Sequence, residues 1–182
     1  MKKITVAEIP EPKLARFLFS DSRIGWVWLL VRVYVGWQWL EAGWGKAFSP
    51  AWTGDQAGAA IRGFLAGALQ KAAGSHPDVS TWYAAFLNGV ALPHAVFFSY
   101  LVAYGEVFAG IALIAGAFTG IAAFAGAFMN LNYLFAGTVS INPFLLLLEL
   151  FLMLAWRNAG WWGVDRFLLP KIGVPWRIKG SS

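Results

Sequence analysis

The chain has 182 residues, 59% of them apolar and 13% charged, with 14 Lys and Arg against 9 Asp and Glu for a net charge of +5. A soluble domain is about 45–50% apolar and about 25% charged, so this composition, with a mean hydropathy of +0.60, excludes an ordinary water-soluble fold and leaves no length for a second domain beside a membrane bundle. Cysteine is absent, which excludes disulfides, thiolate nucleophiles and Cys-ligated iron–sulfur clusters.

A bilayer core of about 30 Å takes about 20 mostly apolar helical residues, and four stretches approach that length. The first predicted span, 23–44, holds Trp26, Trp28, Leu29, Leu30, Tyr34, Trp37, Trp39 and Leu40. Its apolar run exceeds the h-region of a secretory signal, so it is expected to stay as an anchor. In the connection 46–94, Ile61, Phe64, Leu65, Ala68, Leu69 and Ala72 recur on one helical face, which predicts a short amphipathic helix lying on the membrane surface or capping the bundle. Trp82–Leu92 is too short to span and reads as interfacial or re-entrant, with Gly74–Pro77 as the break between the two pieces. Spans two and three, 96–118 and 119–136, have almost no linker and predict a tight hairpin. Span four, 142–156, opens on Asn142-Pro143, a helix-start signal. The fold class expected is therefore all-α: a single four-helix membrane bundle with an external connection between spans one and two and tails 1–22 and 157–182.

Basic residues orient this bundle. Lys2, Lys3, Lys13, Arg16 and Arg23 precede span one, and Arg157, Arg166, Lys171, Arg177 and Lys179 follow span four. Both termini are thus expected in the cytoplasm, the chain being multi-pass in the inner (cytoplasmic) membrane with 46–94 outside. Positive charge on so apolar a chain reads as topology and lipid contact, not as a nucleic-acid surface. Trp26 and Trp28, Trp44 and Trp52, and Trp156, Trp161 and Trp162 are placed in interfacial belts. His76 and His94 lie in the connection or at its junction with span two, not where facing spans would ligate a haem. No metal, haem or flavin is expected.

Ionisable groups inside a membrane are costly unless paired or hydrogen-bonded. At 1.5 Å per residue, Arg32, Glu106 and Glu149 fall within about one turn of the midplane, with Asn130 and Asn132 slightly toward the outer face. The expectation is one central cluster in which Arg32 neutralises one of the two carboxylates, leaving the other to donate or accept protons. The competing reading is that the triad only pins helix packing. Toward the outside, Gln38, Glu41, Lys46, Tyr100 and Tyr104, walled by Trp37, Trp39 and Trp44, form a layer suited to a flat membrane-resident head group such as a quinone. Gly105, Gly110, Gly116, Gly120 and Gly126 read as close helix packing.

The segment RVYVGWQWLEAGWGKAF (32–48), the segment GEVFAGIALIAGAFT (105–119) and the tail RNAGWWGVDRFLLP (157–170) together resemble the DoxX/DoxD family of four-helix membrane proteins. The segment NLNYLFAGTVSINP (130–143) is most similar to the branch of DoxD-like large subunits of thiosulfate:quinone oxidoreductases. The resemblance implies a cytoplasmic-membrane redox subunit that passes electrons from thiosulfate to quinone and yields tetrathionate. It carries over to Gly43, Lys46, Gly105, Glu106, Gly110 and Gly116. Because that branch is a two-part system and this chain reaches only a short basic tail after span four, a small subunit or soluble oxidoreductase is the expected partner.

The function expected is thus a quinone-binding redox subunit with quinone as co-substrate. Glu106, Glu149 and Arg32 are the candidate catalytic residues, and Glu41, Trp44, Lys46, Tyr104, Asn130 and Asn132 the candidate substrate-binding ones. Lys46 and Arg62 would attract a dianion such as thiosulfate or a related sulfur oxyanion. The alternative from another class is a non-catalytic membrane scaffold of a redox or stress-response complex. A small transporter is a third reading, disfavoured because the spans show no inverted repeat or broken helix pair.

Overall fold

The computed structural model describes residues 10–173, and the basic residues Lys2, Lys3, Arg177 and Lys179 lie outside that range. Helix α1 (Lys13–Ser20) and a single 3₁₀ turn, Ser22–Ile24, lead into α2 (Gly25–Ala47). The Asp21 side chain starts that turn by accepting the Arg23 backbone N–H at 2.9 Å. Hydrogen bonding from the Arg23 guanidinium holds the Asp21 carboxyl below its ordinary range. The connection contains α3 (Pro50–Thr53), α4 (Ala59–Gln70) and α5 (Thr81–Phe86), which runs on into a π-helical turn at Leu87–Ala91. Then come α6 (Ala95–Ala115), α7 (Thr119–Phe135), α8 (Asn142–Leu154), the single turn α9 (Trp156–Ala159) and α10 (Asp165–Lys171).

Helix ends fall where local chemistry puts them. Pro50 and Pro143 open α3 and α8 from the first turn, where a missing N–H costs nothing. Gly116, at φ 65°, stops α6 in the left-handed region while the Ala117 N–H bonds back to the Ala112 carbonyl at 2.9 Å. This Schellman closure satisfies the last carbonyls and turns the chain straight into α7. The predicted hairpin is therefore made by Gly116, Ala117 and Phe118 alone.

Helices α2, α6, α7 and α8 form one bundle around Trp28, Val35, Trp39, Leu113, Ala123 and Leu152. α2 and α6 run antiparallel at very short separation. A methyl group at Gly36 would stand 2.9 Å from the Gly110 carbonyl oxygen, one at Gly110 2.5 Å from the Leu40 amide nitrogen, and one at Gly43 2.6 Å from the Val107 amide nitrogen. Three glycines on facing stripes let the two backbones touch, the small-residue packing that apolar surroundings favour. Both described ends of the chain, with the α6–α7 turn, lie at one end of this bundle, and the connection lies at the other.

Four helices occupy the four predicted spans, but they differ as spans. Among the described residues, α6 is the one helix both long and apolar enough to cross a membrane unaided. α2 has the length but spends it on Arg32, Gln38, Glu41, Lys46 and polar-edged aromatics. α7 has 17 residues and α8 only 13, about 20 Å of rise for α8 against a core of about 30 Å. The bundle surface is apolar nonetheless: Phe97, Leu101 and Phe108 on α6 and Phe124 and Phe128 on α7 all point outward.

The connection packs as its own layer over one end of the bundle. Ile61, Leu65 and Ala68 of α4 are buried against Val79, Tyr83, Leu87, Ala91, Ala95 and Ala136, so the face predicted from periodicity is the buried one. The segment Trp82–Leu92 is α5 with its π turn, closed by the Leu92 N–H on the Leu87 carbonyl at 2.8 Å. Side-chain bonds tie this layer down: Lys71 Nζ donates to the Gly137 carbonyl at 2.7 Å, the Tyr83 hydroxyl donates to the Asn132 carbonyl at 3.0 Å, and the Ser99 and Tyr100 hydroxyls of α6 donate to the Trp52 and Thr53 carbonyls at 2.6 and 2.7 Å. Burial pushes the Tyr83 phenol up to about 12. Its folded-state pKa exceeds the unfolded value near 10, so its contribution to stability is complete below about pH 10 and is lost as pH rises through about 12. Thermal unfolding followed across pH 9–12.5 should show that alkaline loss, and Tyr83→Phe should flatten it.

Trp28 is not in an interfacial belt. Its side chain is 8% exposed, and its indole N–H donates to the Leu18 carbonyl at 2.7 Å, beside Asn158 Nδ2, which reaches the same carbonyl at 3.1 Å and that of Asp21 at 2.9 Å. Free carbonyls at the end of α1 need donors, and the bundle supplies both.

Candidate functional site

Gly43 brings the α2 backbone against Glu106, and Lys46, one turn further on, reaches the carboxylate from there. Lys46 Nζ lies 2.5 Å from Glu106 Oε2, the lysine side chain 22% exposed and the glutamate 1%. The Tyr133 hydroxyl of α7 donates to the other oxygen, Oε1. The ammonium also stands 5.4 Å from the Trp52 ring centroid and 6.0 Å from that of Tyr133. An anion buried this deeply requires such a partner, and Lys46 is the group through which it meets the less buried connection.

Glu149 of α8 has a different environment. Its Oε1 accepts the Trp39 indole N–H at 2.5 Å and its Oε2 accepts the Asn130 amide at 2.6 Å. Among the described residues no cation lies within ion-pair distance of it. Asn130 Oδ1 is buried without a hydrogen-bond partner, leaving an acceptor beside the carboxyl. The Trp39 and Tyr133 rings stack at 6.4 Å between centroids and 24° between planes. The two acidic groups are therefore joined by Lys46, Glu106, Tyr133, Trp39, Glu149 and Asn130, drawn from all four bundle helices.

Arg32 belongs to neither carboxylate, which corrects the expected triad. Its guanidinium donates to the carbonyls of Leu113 at 2.7 Å, Ile114 at 2.8 Å and Trp162 at 2.7 Å. Helical side chains lean toward the helix N-terminus, so Arg32 drops to the end of α2 that faces the C-terminus of antiparallel α6. There the free carbonyls and the negative pole of the helix attract it. The acidic group acting on it is Asp165, beyond ion-pair distance. Asp165 in turn accepts the N–H groups of Phe118 at 2.6 Å and Thr119 at 2.8 Å, and the Val164 and Asp165 amides bond to the Ala115 and Gly116 carbonyls. The tail thus locks the α6–α7 turn.

Of the other predicted residues, Asn130 is buried in the site and Asn132 is not: its amide bonds back to the Phe128 carbonyl and its oxygen accepts from Tyr83. Glu41, Trp44 and Tyr104 are exposed on the bundle surface, as is Tyr100, against which Tyr104 stacks at 6.1 Å. Trp39, expected as an outer wall, turns inward. Arg62 stands beside Gly58, a methyl group at which would lie 3.2 Å from Arg62 Nη1, at the start of α4. The glycines do more than close helices up. A methyl group at Gly126 would lie 2.7 Å from Trp39 Nε1 and strike Glu149 Oε1, and one at Gly116 or Gly163 would meet the Arg32 guanidinium. Tyr133 and Asp165 escaped sequence reasoning. Gly126, Asn130 and Tyr133 recur at i, i+4 and i+7, one polar stripe in an apolar helix, which is the signal that marks Tyr133. Asp165 offered none, being remote in sequence from both groups it serves.

No curated protein and no solved structure matches the chain. The DoxX family model matches residues 27–139, a stretch that holds Arg32, Trp39, Lys46, Glu106, Asn130 and Tyr133 but ends before Glu149 and Asp165. By that match the chain belongs to the DoxX family, a family of membrane proteins.

Proposed function

We propose that the chain is a quinone-binding redox subunit of the cytoplasmic membrane, with α2, α6, α7 and α8 crossing the bilayer and both termini on the cytoplasmic side. The reaction it serves couples 2 S₂O₃²⁻ → S₄O₆²⁻ + 2 e⁻ to Q + 2 e⁻ + 2 H⁺ → QH₂. The observation that carries this reading is the pair of buried acidic groups, Lys46–Glu106–Tyr133 and Trp39–Glu149–Asn130, set side by side by the Trp39–Tyr133 stack, because intramembrane ionisable groups mark proton and substrate routes. Lys46, half-buried and cationic, suits the approach of a sulfur oxyanion. Glu149, which has hydrogen-bond donors and, among the described residues, no cation, suits exchange of a proton with the reduced quinone. Electrons pass directly between bound species or through a partner subunit.

Thiosulfate-dependent reduction of a short-chain quinone by the purified chain in detergent, alone and with its partner subunit, tests the proposal. Glu149→Gln should lower turnover about 100-fold, the scale of a general acid–base group, and Glu106→Gln should also impair it. A second reading, a scaffold for a soluble oxidoreductase, draws on the fact that every carboxylate oxygen of the two glutamates already joins one helix to another. Folded Gln variants that keep full turnover in the complex would establish the scaffold and remove the proton-handling role.

A further inference from the structure

Charge is distributed unevenly between the two ends of the bundle. Among the described residues, the end that carries both described chain ends holds Lys13, Arg16, Arg23, Arg157, Arg166 and Lys171 against Glu11, Asp21 and Asp165. Asp21 is taken by Arg23 at 2.7 Å, Glu11 faces Arg157 at 3.9 Å, and Asp165 is buried on the two α7 amides. Lys13, Arg16, Arg166 and Lys171 are exposed and, among the described residues, have no carboxylate within ion-pair distance. Apart from Lys46, which pairs with Glu106, the connection at the opposite end sets Arg62 and Lys71 against Asp55 and Asp78, an even balance. The excess of cations thus belongs to one end of the molecule. Exposed apolar side chains stand among these cations. At about 100° per residue, α1 divides into three faces: Ala15, Leu18 and Phe19 turn to the bundle, where Phe19 stacks on Trp28 and Phe151; Lys13, Arg16 and Ser20 form a polar face; and Leu14 and Phe17 make a third, with Leu14 69% exposed. α10 repeats the pattern, burying Leu169 and leaving Phe167 70% exposed beside Arg166.

From this we infer that α1 and α10 form a docking surface for anionic phospholipid headgroups, the lipid phosphates meeting Lys13, Arg16, Arg166 and Lys171 while Leu14, Phe17 and Phe167 enter the acyl chains beneath. A helix lying in the plane of a bilayer surface needs this division, an apolar edge among the chains and a cationic edge at the headgroups. Charge complementarity selects the occupant. Four cations without carboxylate partners favour an anionic headgroup over a zwitterionic one, and the apolar side chains beside them favour a lipid over free phosphate. The short α8 leaves room for such a layer, because a rise of about 20 Å in a core of about 30 Å hands the remaining depth to other elements. α1 packs on α9 directly beyond α8, and α10 follows. This surface goes beyond the redox reading, since neither quinone nor thiosulfate enters it.

Native mass spectrometry of the full chain in uncharged detergent, offered equal phosphatidylglycerol and phosphatidylcholine, tests the surface. Phosphatidylglycerol should be retained with about tenfold preference, and Arg16→Gln and Lys171→Gln should each lower its affinity about fivefold, the effect of one cation near an anionic surface. Arg62→Gln, at the balanced end, should leave that affinity unchanged, and thermal melts check that the exposed substitutions keep the fold. Because the chain has no cysteine, a spin label on Leu14→Cys or Phe167→Cys reports depth in vesicles of the same two lipids, where relaxation by oxygen should exceed that by a water-soluble nickel chelate. Equal retention of the two lipids, an equal loss in Arg62→Gln, or displacement of phosphatidylglycerol by inorganic phosphate at similar concentration would each overturn the surface. Labels relaxed mainly by the chelate would also overturn it, assigning the face to water or to a soluble protein partner.

Discussion

Replacing Lys46 by Met should destabilise the folded bundle by about 3–5 kcal/mol, the usual cost of removing one partner from a buried ion pair. The loss comes less from the missing attraction than from the carboxylate left behind, since Glu106 is 1% exposed and would keep only the Tyr133 hydroxyl. Pairing the change with Glu106→Gln should recover most of that stability, because Gln keeps an acceptor for Tyr133 and brings no charge. Unfolding midpoints of the single and double variants in one detergent provide the check. A double variant as unstable as Lys46→Met would mean that the pair itself, and not the stranded charge, holds α2 to α6. The same cycle bears on function, because a double variant that folds but no longer turns over would separate the role of the pair in chemistry from its role in stability.

Gly110→Ala should cost about 3 kcal/mol, at the upper end of overpacking, while Gly105→Ala five residues earlier in α6 should be nearly neutral. The contrast follows from what each new methyl meets. At Gly110 the nearest atoms are the Leu40 amide nitrogen at 2.5 Å, the Leu40 Cα at 2.8 Å and the Gly36 carbonyl oxygen at 2.8 Å, all backbone. No rotamer can relieve that, so the helices must separate and carry Lys46 away from Glu106. At Gly105 the single neighbour is the flexible Met129 sulfur at 3.5 Å, ordinary contact. Paired thermal melts of the two variants test this, and equal losses at both positions would refute the close approach of α2 and α6.

How much of this could be read in advance depends on whether the signal was periodic or positional. Periodicity located α4 and its buried face because Ile61, Leu65 and Ala68 must share one side of any helix drawn through them. Residue type, not period, singles out Arg32, Glu106 and Glu149 and, further out, Lys46, since an ionisable residue in an apolar run stands out whatever surrounds it. Partners were another matter. Depth counted from the Cα pairs Arg32 with a glutamate, yet a guanidinium reaches several ångströms toward its helix N-terminus and its acceptors are backbone carbonyls, which no sequence displays. Trp39 looked like its neighbours Trp37 and Trp44 but lies on the helix face shared with Arg32, Val35 and Gly36, and that face is the buried one. Gly126 and Gly116 carried no sign that the space they leave is filled by charged side chains from other helices.

The clasp formed by Asp165 over the α6–α7 turn has a consequence for the order in which the protein is made. Residues 160–165 are synthesised after every bundle helix, so until they emerge the Arg32 guanidinium lacks its contact with the Trp162 carbonyl and the first amides of α7 lack the Asp165 carboxylate. A nascent chain stopped before Gly160 would therefore present an open turn and an under-satisfied arginine at the bundle end. Docking of the tail thus joins the first-made and last-made parts of the bundle, Arg32 on α2 and Asp165 after α8, at a single turn.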